Sequence, residues 1–204
     1  MYVIKIKGKS CESWSNKVET QSIMKTTELQ HDLFNYAFKE MPDSATIELL
    51  EELPGRWGRM PPLSRLVVVE TGRILKENGL TIDSRKLNQQ GQTVGLIGGT
   101  RYGSLTTDID FAETLKQAPE LASPALFGYT LANIPLAEAA NHYGLTGPVY
   151  AIMDRSDPLS SAVSECERNL NQSDTINCML ACHFDDVPSE SGRHQLQITF
   201  KIIH

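Results

Sequence analysis

Long apolar runs are missing from this chain of 204 residues. No stretch approaches the roughly 18–20 residues that a membrane-crossing helix needs. Basic clusters are missing too: 25 acidic side chains outnumber 19 basic ones, for a net charge of −6. A polyanion finds no footprint on such a chain, so neither nucleic acid nor a membrane is an expected partner. The cysteines Cys11, Cys166, Cys178 and Cys182 form no CxxC pair and no regular framework, which points to reduced, structural thiols. His183 follows Cys182, yet on a strand Cys178 and Cys182 share a face that His183 leaves. Three zinc ligands do not converge from that pattern. No metal and no cofactor are expected.

Internal repeats, low-complexity tracts and linkers are also lacking. Residues 1–10 alternate apolar and polar side chains from Tyr2 to Lys7, as a strand does and a signal peptide does not. The expected compartment is the cytoplasm. The glycine-rich residues 98–104 lack both GxGxxG spacing and a P-loop ending. A tight turn is expected there, with glycine permitting close backbone packing.

What remains is an ordinary globular balance, 40% hydrophobic and 22% charged, sized for one core. Residues 9–30 are polar, and 31–40 carry Leu33, Phe34, Ala37 and Phe38 at helical spacing. A turn-rich segment, 53–62, leads into a helix over 63–78 with Gly79 as its stop. Residues 93–99 (TVGLIGG) read as a buried strand, and Thr107 as the cap of a following helix. Pro135 opens a helix closing at Tyr143 and Gly144. Residues 149–153 form a strand, 158–170 a helix and 175–184 a near-continuous apolar strand. After a loop at 187–193, Leu196, Ile198, Phe200 and Ile202 alternate with polar partners in a final strand, antiparallel to its neighbour. The reading is a single α/β domain over 1–204: a mixed five-stranded sheet, last strand antiparallel, with helices on both faces.

Four stretches, taken in order, resemble the amino-terminal half of β-ketoacyl synthases of the thiolase fold. They are residues 60–66 (MPPLSRL) running into Gly79 and Leu80, 94–105 (VGLIGGTRYGSL), 123–133 (SPALFGYTLAN) and 142–148 (HYGLTGP). The family's complete enzyme has two such halves. The first carries a nucleophilic Cys at a strand-to-helix turn, and the second carries two His. This chain ends where the first half would end, so a stand-alone half-fold is expected.

Counted from Gly147 and Pro148, the resemblance puts the family's Cys position on Ser156. Acyl transfer there needs a thiolate stabilised at a helix N-terminus, and a serine hydroxyl is a poor nucleophile without a base. Asp154 and Asp157 flank the position, and their charge opposes a developing anion. Met153, Asp154 and Arg155 stand where the resemblance implies small residues. Ser156 or Asp157 followed by Pro158 reads as a helix cap. The acid pair could serve general acid/base chemistry, but caps and solvated charges account for it. No catalytic residue is assigned. The helix that follows carries one apolar stripe, Leu159, Ala162, Val163, Cys166 and Leu170, backed by Ser160, Ser161, Ser164, Glu165, Glu167 and Arg168. A helix sandwiched between two halves would be apolar nearly all round. His142 near a helix end, and Trp57 and Tyr102 as lone aromatics, have bland explanations in the dipole and in packing.

The resemblance further implies that the strand Val149, Tyr150, Ala151, Ile152 and Met153 lies at the sheet edge and pairs across a two-fold. It carries no Pro and no charge, so a homodimer through this strand is expected. The resemblance supports a stand-alone, non-catalytic ketosynthase-like accessory or scaffold in fatty acid or polyketide biosynthesis. Its partners would be an acyl carrier protein or a full-length ketosynthase. The alternative is a subunit of a β-ketoacyl-acyl-carrier-protein synthase complex that keeps acyl transfer and condensation with a complementing chain. A small-molecule acyl or CoA binder is a third option.

Overall fold

The computed structural model describes residues 44–80, 85–117, 120, 122–188 and 194–204. Helices α1 (Ser44–Leu50) and α2 (Pro62–Glu77) come first, separated by a turn-rich segment with a short 3-10 helix at Trp57–Arg59. Strand β1 (Val94–Thr100) is followed by α3 (Leu105–Gln117), α4 (Pro124–Gly128) and α5 (Ile134–Tyr143). Then come β2 (Val149–Met153), α6 (Pro158–Gln172), β3 (Cys178–Pro188) and β4 (His194–Ile203).

The strands form one sheet in the order β2-β1-β3-β4. β1 pairs in parallel with β2 and with β3, while β3 and β4 run antiparallel. β1 is buried at all seven positions because strands flank it on both sides and helices cover both faces. Its period-2 alternation splits the core in two. Leu96, Leu180, Cys182 and Phe184 face the larger cluster with α2 and α5. Ile97, Met179, Ala181 and Ile203 face the smaller one, against Ala162 and Cys166 of α6. Each large aliphatic side chain so buried contributes about 1.5–3 kcal/mol.

The α/β class, the antiparallel last strand and helices on both faces agree with the sequence reading. The strand number does not. Four strands occupy the described residues, and the fifth expected strand, at 1–10, lies outside them, as do the stretch 9–30 and the helix 31–40. Three element limits also differ. α3 begins at Leu105, straight out of the glycine-rich loop, so Thr107 sits buried inside the helix instead of capping it. α6 runs two residues beyond Leu170, to Gln172. β3 starts at Cys178 and runs past Phe184 through Asp185 and Asp186 to Pro188, which shortens the expected loop. Two acids continue a buried strand only if their carboxylates find donors. They do, as described below.

The expected stripe on α6 is its inward side. Of the stripe, Ala162 and Cys166 are buried and Leu159, Val163 and Leu170 half-buried; of the polar side, Ser160, Ser164, Glu167 and Arg168 are exposed, whereas Ser161 and Glu165 are half-buried, bonded to Asp154 and Tyr150. No helix among the described residues is long and apolar enough to cross a membrane.

Candidate functional site

Open parallel sheets place ligand sites beyond the carboxyl ends of their strands. Here β1 and β2 end side by side, Thr100 opposite Met153, and the Asp154 N–H donates to the Thr100 carbonyl at 3.0 Å. Two turns leave this rim: the glycine-rich loop after β1 and the serine turn after β2. They fit together because Gly99 has no side chain. A Cβ at that position would lie 1.8 Å from the Pro158 carbonyl oxygen at the start of α6.

The serine turn is organised around Asp154. Its Oδ1 accepts the Ser156 N–H at 2.7 Å, the Ser156 hydroxyl at 2.7 Å and the Asp157 N–H at 3.2 Å. Its Oδ2 accepts the Ser161 hydroxyl. The cap of α6 is Asp157, not Ser156: Asp157 Oδ1 accepts the Ser160 N–H at 3.1 Å, with Pro158 in the first turn. Met153 is exposed, as are Arg155, Ser156 and Asp157. The Ser161 and Ser156 hydroxyls and two backbone N–H groups hold the Asp154 carboxyl far below the usual carboxylate range. The Ser160 hydroxyl and N–H lower that of Asp157 likewise. Both stay ionised at neutral pH.

That geometry decides what the turn can do. A general base needs a pKa near working pH, and a carboxylate this acidic takes no proton from serine. Two fixed anions at the helix N-terminus offset the positive dipole end that would stabilise a nucleophile or an oxyanion. Among the described residues no histidine hydrogen-bonds Ser156.

The glycine-rich loop also holds an anion, and that anion belongs to the protein. Asp185 Oδ1 accepts the N–H groups of Arg101 (3.0 Å), Tyr102 (2.8 Å) and Gly103 (3.1 Å), and the Thr100 hydroxyl. His183 Nε2 donates to Oδ2 at 2.8 Å. Consecutive N–H groups pointing one way form an anion nest. Burial opposes ionisation of Asp185, but the bonds from His183, Thr100 and Tyr102 outweigh it and leave its carboxyl below the ordinary range. The donors a phosphate would need are therefore taken. Next to it, Asp186 is fully buried and receives His194 Nδ1 at 2.9 Å, with Asp110 3.7 Å from His194 Nε2.

The remaining candidates fall elsewhere. Cys166, Cys178 and Cys182 are buried, and burial pushes the first two thiols up to about 12 and about 11, which makes them inert. Cys11 lies outside the described residues. His142 lines a separate open groove of about 620 Å³ between residues 52–56 and α5, where burial lowers its pKa. Trp57 is buried with the Arg65 guanidinium 5.4 Å from its ring centre, while Tyr102 is exposed. The sequence reading missed Asp185, Asp186 and His194, and weighed His183 only as a zinc ligand. The available signal was the acid doublet at the end of an apolar strand, with His183 and Asp185 two apart on one strand face.

No protein-family model matches the sequence, and no curated protein matches it. Solved structures do resemble the fold. The ishigamide ketosynthase/chain length factor superposes with a TM-score of 0.58 at 17% identity, over 80% of this chain and 48% of that one. A ketosynthase in complex with its chain length factor, from Xenorhabdus doucetiae, gives 0.53 at 12% identity, over 89% and 79%. A β-ketoacyl synthase from Burkholderia phymatum gives 0.52 at 11%, over 81% and 45%. The chain has a ketosynthase-like thiolase fold, in half-domain form. It spans about half the length of the ishigamide and Burkholderia chains it matches.

Proposed function

We propose that this chain is a non-catalytic, ketosynthase-like accessory or scaffold protein of polyketide or fatty acid biosynthesis, built on the amino-terminal half of the ketosynthase fold. The observation that carries this reading is the serine turn: at the position of the family's nucleophile, the Ser156 hydroxyl donates to an ionised Asp154. A nucleophile must lose its proton to a base, and this hydroxyl faces an anion that stays deprotonated. The polar outer side of α6 supports the same reading, because a helix under a second half would be apolar there.

The sheet supports a partner for this chain. Among the described residues β2 is the edge strand beside β1, and Val149, Tyr150, Ala151, Ile152 and Met153 offer neither Pro nor charge to guard it. It pairs with a second ketosynthase-like chain, which is a second copy when the protein is alone. Two of the similar structures pair a ketosynthase with a chain length factor, which favours a full-length ketosynthase as the biological partner. An acyl carrier protein is the third component of such an assembly.

The test combines the purified chain, a candidate ketosynthase, and carrier protein loaded with acyl and malonyl groups. The expected result is a complex by light scattering, with condensation indifferent to Ser156→Ala. Condensation that requires this chain and disappears in Ser156→Ala would instead assign it acyl transfer with a complementing subunit. For the chain alone, light scattering at micromolar concentration should give a dimer, and a clean monomer refutes pairing through β2.

A further inference from the structure

We propose that Asp185 is the positioning residue of the serine turn, a built-in carboxylate ligand whose removal leaves a receptor for small carboxylates. The inference does not depend on the accessory reading.

Thr100, Arg101, Tyr102 and Gly103 all donate to Asp185, which lies 82–85 residues further along the chain. Gly103 N–H also reaches the Thr100 hydroxyl oxygen at 2.6 Å, which closes the loop on itself around the carboxylate. On the opposite side the same loop grips the serine turn twice. The Thr100 carbonyl accepts the Asp154 N–H, and the Arg101 guanidinium donates to the Ser156 carbonyl at 2.9 Å. β3 thus fixes the loop through one carboxylate, and the loop fixes the turn. His183 on Oδ2 orients that carboxylate from its own strand.

Removing the carboxylate leaves convergent donors without an acceptor in a site of carboxylate size. Buried donors in that state bind a replacement anion that fits, and a planar carboxylate fits better than a spherical halide.

The experiment is amide hydrogen exchange on the full chain and on Asp185→Ala. Exchange at Arg101, Tyr102, Gly103 and Asp154 is expected to rise together by about tenfold or more. Added formate should restore protection at all four amides, whereas chloride at equal ionic strength should not. Arg101→Ala should loosen the serine turn while leaving Tyr102 and Gly103 protected. Exchange at Asp154 that stays at the wild-type rate while the loop opens overturns the positioning role. Rescue by chloride equal to that by formate overturns the carboxylate receptor. If Asp185→Ala does not fold, Asp185→Asn decides: a rise at the same amides supports the proposal, and wild-type protection at all four refutes it.

Discussion

Two carboxylates hold the two turns at the sheet rim, in opposite settings. Asp154, half-buried, gathers donors two to seven residues away, Ser156 among them exposed to solvent, around a turn of its own making. Asp185, itself buried, gathers its loop donors from more than 80 residues away and His183 from its own strand. The chemistry is the same; the energetics are not. An exposed hydrogen bond trades against water and shapes local geometry, whereas a buried donor left unpaired is penalised in full. The glycine loop is therefore the stable half of the rim, and the serine turn is shaped locally and leans on it.

Four perturbations sharpen or break that contrast. Gly99→Ala should do the most damage, because its Cβ would meet Pro158 backbone atoms at 1.8 and 2.5 Å. Moving the start of α6 to relieve that overlap should cost about 3 kcal/mol or more, read as a fall in the urea midpoint. Asp185→Ala should cost about 2–3 kcal/mol by the same measurement, from buried donors left unpaired. Its loss should also flatten acid unfolding. The folded-state carboxyl lies below its ordinary range, so its stabilisation is present above the unfolded value and disappears as pH falls through the folded one. Asp154→Ala should shift the midpoint less than Asp185→Ala while freeing the Ser156 hydroxyl; an equal or larger shift would refute the contrast between the turns.

The smallest effect belongs to His194. Burial alone would lower its pKa, but the hydrogen bond that its ring N–H donates to Asp186 and the charges of Asp186 and Asp110 raise it above the ordinary imidazole value. The stabilisation is full below the unfolded imidazole value and is lost as pH rises through the folded one. Thermal melts across that window should show a decline that His194→Gln abolishes. A decline unchanged in the variant would assign the titration to another group.

The strands and helices were legible because their signals are local. Alternation in 196–202, the glycine stop at 79 and the apolar stripe of α6 each follow from spacing within one element. The serine turn was legible for the same reason, since Asp154, Ser156, Asp157 and Pro158 are near neighbours. That Asp157 and not Ser156 caps the helix is a matter of geometry, which composition cannot choose. The Asp185 nest was not legible. Its donors are mostly backbone N–H groups, which every sequence carries, and its acceptor lies on another strand. The apolar run ends at Phe184, yet the strand continues to Pro188, because tertiary donors hold the Asp185 and Asp186 carboxylates.

The central claim is that the serine at the rim is a turn residue bonded to an anion and carries no acyl group. Intact-protein mass spectrometry after incubation with acyl-loaded carrier protein tests it most directly, on wild type and on Ser156→Cys. Both should keep their unmodified mass at residue 156, because Asp154 and Asp157 disfavour a thiolate as they disfavour an alkoxide. A stoichiometric acyl adduct on wild-type Ser156, lost in Ser156→Ala, would contradict the account.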